Sequence, residues 1–145
     1  MGVIRNYNLS ETVVAGKFGQ YEGALSVSSP IEPVYMDVML EPDSSFTYST
    51  KAGFRAIVYP FEGSGSVNGE RMESYRAYVL SESGNDIQVK SGESGARFLL
   101  LAGKPLREPV AWYGPIVMNT KDQLEEAFIE LDNGTFIKHK EPEFL

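Results

Sequence analysis

The sequence has no cysteine, which removes disulfides, zinc–thiolate sites, iron–sulfur clusters and cysteine nucleophiles, and accords with a reducing compartment. It has one histidine, His139, set between two lysines near the end of the chain. A single imidazole cannot supply the clustered nitrogen ligands of a mononuclear metal site, and its position suggests no serine triad. No alternating aspartate loop with a central glycine and a distal glutamate marks a calcium site. Long apolar runs are missing too: the longest, Arg97 to Ala102, is far shorter than the roughly 18 residues a membrane-spanning helix requires. Met1 to Asn8 lacks both a cationic start before an apolar run and a small-residue cleavage pattern, and Asn6 breaks the myristoylation pattern. The expected location is therefore cytoplasmic, with no membrane contact. Basic residues are few and scattered, 13 against 20 acidic, for a net charge of -7. Such a field repels phosphate backbones, so direct nucleic-acid binding is not expected and the acidity is read as a solubility feature.

What is present suits one β domain spanning residues 1–145, since 145 residues that are 42% hydrophobic can build one sizeable core. Turn signals recur at short intervals: Gly16, Gly19, Gly23, Ser29-Pro30, Pro42-Asp43, Gly53, Gly63, Asn68-Gly69, Ser83-Gly84, Ser91-Gly92 and Gly95. Between them lie β-branched and aromatic runs at 12–15, 34–40, 45–49, 54–61, 77–80, 86–89 and 96–102. That punctuation predicts an all-β sandwich or barrel. In Tyr35 to Leu40 odd and even positions separate only partly, which predicts a strand covered on both faces. Asn68-Gly69 fits the two-residue hairpin turn that needs positive φ at both positions.

One segment departs from this rhythm. Leu124, Ala127, Phe128 and Leu131 fall at helical spacing, so a helix is expected over 121–131, with its apolar stripe docked on the barrel. Thr120 and Gln123 fit a capping box, Asp122 suits the positive end of the helix dipole, and Asn133-Gly134 suits a left-handed C-terminal cap. Residues 138–145 are charged and weakly hydrophobic and are expected to fray.

Candidate chemistry is sparse. The stretch Gly63 to Gly69 superficially resembles a phosphate-cradling loop, but it lacks the P-loop lysine and leads into a strand, so it reads as a hairpin. Glu125 and Glu126 are adjacent on the helix and point in different directions, as solvated carboxylates do. Tyr48, Tyr59, Tyr78, Phe46, Phe54 and Trp112 either line a ligand pocket or fill the core, and aromatics at strand spacing usually fill a core.

The run Leu99 to Asn119, LLLAGKPLREPVAWYGPIVMN, closely resembles the signature of the pirin C-terminal domain. The likeness extends through the capped helix to Asn133-Gly134-Thr135-Phe136, and back through Glu62 to Gly69 and Val14-Ala15-Gly16. It covers nearly the whole chain. The resemblance implies a cupin-type antiparallel β-barrel or jelly roll of six to eight strands, with one short C-terminal α-helix, that normally packs on an N-terminal barrel of the same chain. That N-terminal barrel, which in the family carries the iron-type metal site on histidines and a glutamate, is not expected here. Aligning the first cupin motif on Gly63 places Ala56 at the glutamate position and the histidine positions within Ser49, Thr50, Lys51 and Ala52. The second motif falls between Glu73 and Leu80, a stretch without histidine. The resemblance thus implies a metal-free barrel with no cofactor.

Some pirins are described as cleaving flavonols such as quercetin with dioxygen, and others as protein-binding regulators of transcription. The leading expectation is a non-catalytic module that associates with another copy of itself or with a separately encoded cupin or other partner protein. The alternative is a small-organic-ligand-binding or quercetinase-like cupin whose cavity candidates are Tyr48, Arg55, Tyr78, Trp112 and Tyr113.

Overall fold

β-Branched and aromatic residues fit a pleated, half-buried surface, and the runs picked out above form strands in the computed structural model, which describes residues 2–6, 9–25, 29–84 and 86–138. In chain order these are β1 (Gly2–Asn6), β2 (Leu9–Ala15), β3 (Lys17–Phe18), β4 (Tyr21–Glu22), β5 (Val34–Leu40), β6 (Ser45–Ser49), β7 (Arg55–Val67), β8 (Glu70–Met72), β9 (Tyr78–Leu80), β10 (Asp86–Gly103), β11 (Ala111–Tyr113) and β12 (Ile116–Met118). A single helix, α1 (Lys121–Asp132), follows. The backbone forms two compact units, Met1–Pro105 and Leu106–Leu145. His139 and the segment 139–145 lie outside the described residues.

In the first unit an eight-stranded sheet runs β1-β2-β5-β10-β7-β8, with β6 added against β10 and β9 against β7. Every pairing is antiparallel. This is the all-β, cupin-type barrel class expected from the sequence. Its inner face is one core that includes Val13, Met36, Val38, Val58, Val89, Phe98 and Leu100. Phe46 meets Phe98 edge-on there, with ring centroids 5.7 Å apart.

β10 corrects one expectation. Ser91-Gly92 and Gly95 signal turns, yet the strand continues through them, because these positions serve close backbone approach. A Cβ on Gly63 would stand 2.1 Å from the Gly95 carbonyl oxygen, and one on Gly95 would stand 2.6 Å from that of Leu40. The ladder changes partner at this point. Asp86 to Lys90 pairs with β6, whereas Ala96 to Ala102 pairs with β5. Buried Ser91 fastens the bend, its Oγ donating to the Glu41 carbonyl at 2.6 Å and accepting from the Ser44 amide at 2.9 Å.

A second correction concerns β5. Val34, Met36, Val38 and Leu40 are buried, while Tyr35 and Met39 are exposed, so the strand is cleanly half-solvated. The sequence pattern is blurred because methionine occupies both faces. On the outer face Asp37 accepts from Arg97 Nε at 3.0 Å and Nη2 at 2.7 Å. That fork and its charge hold the guanidinium pKa above its usual value.

Local signals fare well. Val67 pairs with Glu70 across Asn68-Gly69, whose φ values of 47° and 85° give the expected turn. In the second unit Thr120 and Gln123 form the capping box. Gly134 at φ 68° closes a Schellman motif, with the Gly134 amide on the Leu131 carbonyl and the Thr135 amide on that of Glu130, at 3.1 and 2.8 Å. β11 and β12 form a hairpin in which Trp112 faces Val117. From the other side of that hairpin Tyr113 meets Phe128 of α1 edge-on, with centroids 5.6 Å apart. No helix among the described residues is long and apolar enough to cross a membrane.

Candidate functional site

β5 and β7 begin, and β6 ends, at the same end of the first unit, and there the chain leaves a cleft of about 470 Å³. This is within the range that holds small organic ligands. Its apolar walls are Pro33, Val34, Phe54 and the ring of Tyr48. Phe18 backs this wall, stacked on Tyr48 at 6.2 Å and on Phe46 at 5.5 Å. Four charged side chains share the lining, and they are paired among themselves: Lys51 with Glu32, and Lys17 with Glu22 at 3.2 Å. Burial pushes the Tyr48 phenol up from its ordinary pKa, so it stays a neutral O–H donor at physiological pH. That hydroxyl makes no hydrogen bond to any described residue.

The structure does not bring the five cavity candidates together. Tyr48 lines the cleft. Arg55, at the start of β7, turns instead to Glu82, 2.7 Å away. Tyr78 is buried, and its hydroxyl donates to the Arg71 carbonyl and accepts from the Glu73 amide, both at 2.8 Å. Trp112 and Tyr113 sit on the β11–β12 hairpin of the second unit, 73% and 71% exposed. Phe18, Glu32 and the charge pairs carry no signal in the sequence alone. Nothing in a linear pattern couples positions 17–22, 32–34 and 48–54, which meet only when β3, β5 and β6 assemble.

The positions aligned with the family's metal ligands offer a poor donor set. Ala56 is a buried methyl. Ser49 donates to Asp86 at 2.6 Å, and Lys51 is an ammonium engaged with Glu32. Thr50 and Ala52 add a hydroxyl and a methyl, and the second motif region is tied up by Tyr78. Cupin-type iron chemistry calls for imidazole and carboxylate ligands, and these residues do not fit it. Among the described residues no three His, Cys, Asp or Glu side chains converge on one point.

The hairpin offers something different. Trp112 and its partner Val117 both face outward, 73% and 58% exposed, with Val110 alongside at 73%. The Trp112 indole N–H is already satisfied by the Gly114 carbonyl at 2.7 Å. What remains for solvent is apolar ring.

Comparison with known proteins gives these features a context. Residues 35–137 match the family described as the pirin C-terminal cupin domain. A Thermoplasma acidophilum protein named "Putative quercetin 2,3-dioxygenase" is 44% identical over 136 residues, which cover 90% of this chain and 52% of that protein. Human pirin is 30% identical over 105 residues, covering 69% of this chain and 36% of pirin. Among solved structures, a quercetin 2,3-dioxygenase from Acinetobacter baumannii superposes with a TM-score of 0.80 at 32% identity, over 91% of this chain and 45% of that one. The chain thus spans about half the length of several relatives it matches.

Proposed function

Because this chain belongs to the pirin family, as its C-terminal cupin domain, we propose that it acts by association, as a module that holds no metal in its own barrel and docks on another cupin-type barrel. The partner is a second copy or a separately encoded barrel. The observation that carries this reading is the outward pair Trp112 and Val117, with the indole N–H satisfied inside its own hairpin. Exposed aromatic surface of this kind marks interaction sites, and tryptophan is among the residues that dominate binding energy when buried at an interface.

The names of the relatives favour a second reading, a quercetinase-type oxygenase. Those names belong to proteins about twice this length, and the oxygenase would need metal donors that Ser49, Thr50, Lys51, Ala52 and Ala56 do not supply. Sedimentation velocity from low to high micromolar concentration separates the outcomes for association. A concentration-dependent dimer, or a complex with the remaining half of the Thermoplasma acidophilum relative, supports the proposal. A monomer under both conditions overturns it.

A further inference from the structure

The cleft at the end of the first unit has a chemistry of its own, independent of association. Its ionic groups cancel: Lys51 with Glu32, and Lys17 with Glu22. A charged ligand would gain no net field from this lining and would have to compete with a pair already formed. The remaining wall is apolar and aromatic, from Val34, Phe54 and Tyr48, and favours an apolar body. One polar group stands apart. The Tyr48 hydroxyl is half-buried, makes no hydrogen bond to any described residue, and is a donor in search of an acceptor.

We propose that this cleft binds an uncharged organic molecule, its apolar body against Val34 and Phe54 and a ketone, ester or ether oxygen accepting from the Tyr48 hydroxyl. Tyr48 then sets orientation, and the paired charges at the rim exclude ions. The ring of Tyr48 also belongs to the Phe18 stack, so the donor is held on a rigid support, and little ordering is required when the ligand arrives.

The uncharged fluorescent ketone Prodan tests this. Titration into the protein is expected to give saturable one-to-one binding with blue-shifted emission. Tyr48→Phe keeps the ring and its stack while deleting the donor, and should weaken binding about 3- to 10-fold, the effect of one ordinary hydrogen bond. Trp112→Ala serves as the control for adsorption to the exposed hairpin and should leave binding unchanged. Non-saturable binding, an unaltered affinity in Tyr48→Phe, or loss of the signal in Trp112→Ala would each overturn the assignment.

Discussion

The indole N–H of Trp112 donates to the carbonyl of Gly114, two residues further on in the same hairpin, at 2.7 Å. Burying this ring against a partner therefore strands no polar atom, and the full apolar area contributes to binding. Trp112→Ala should weaken association about 10-fold or more, as read by sedimentation equilibrium, with an unchanged far-ultraviolet circular dichroism spectrum. Val117→Asp, on the facing position, should do the same.

Gly63 and Gly69 both have positive φ, at 82° and 85°, but only Gly63 has backbone in the place of a Cβ. Alanine at Gly69 meets nothing within 4 Å and should cost roughly 1–2 kcal/mol of conformational strain. Alanine at Gly63 adds a clash with the Gly95 carbonyl and should cost about 3 kcal/mol or more. Chemical denaturation of the two variants checks the difference, and equal losses would contradict the close-approach account of the β10 bend.

Thr120 caps α1 by accepting from the Gln123 amide at 3.2 Å, while Gln123 Oε1 accepts in return from the Thr120 amide at 3.1 Å. Thr120→Ala should destabilise the helix by about 1 kcal/mol. Hydrogen exchange is expected to show the loss in the first turn of α1, with amides of β7 and β10 unaffected.

These two turn elements were legible because their signals are local. The Thr120–Gln123 box completes its hydrogen bonds within a few residues, and Asn68-Gly69 joins the directly paired Val67 and Glu70, so residue type alone points to the geometry. The β10 glycines were misread for the complementary reason: their role depends on Gly63 and Leu40, far away in sequence, and a glycine needed for close approach looks the same as one needed for a turn. The family was legible from Leu99 to Asn119, a long and distinctive run. The cleft was legible only in Tyr48 and Phe54, two of the aromatics singled out as pocket or core residues. Its remaining walls come from three separate stretches, and Trp112 and Tyr113 belong to the β11–β12 hairpin of the second unit. Aromatic content shows that such residues need a home, and only the sheet register shows which face each occupies.

Tyr48 also makes a prediction about pH. Burial raises its pKa in the folded state above the ordinary value of 10.0, so the folded protein retains a proton that the unfolded chain releases. Its contribution to stability is complete below pH 10 and is lost as pH rises through the folded-state value. Denaturation midpoints followed upward from neutral pH should fall above about pH 10, and part of that fall should be absent in Tyr48→Phe. Identical alkaline profiles for the two proteins would mean that the phenol is not shielded as described.

Whether the barrel holds a metal is decided by the donor set where the family's first cupin motif would place one, with Ala56 at the carboxylate position and Ser49, Thr50, Lys51 and Ala52 across the imidazole positions. Plasma mass spectrometry of the untagged protein tests it directly, because a polyhistidine tag would carry metal of its own. The prediction is only trace metal per chain, with the same melting temperature before and after chelation. Near-stoichiometric iron, copper, nickel or manganese would contradict it and return this barrel to the oxygenases.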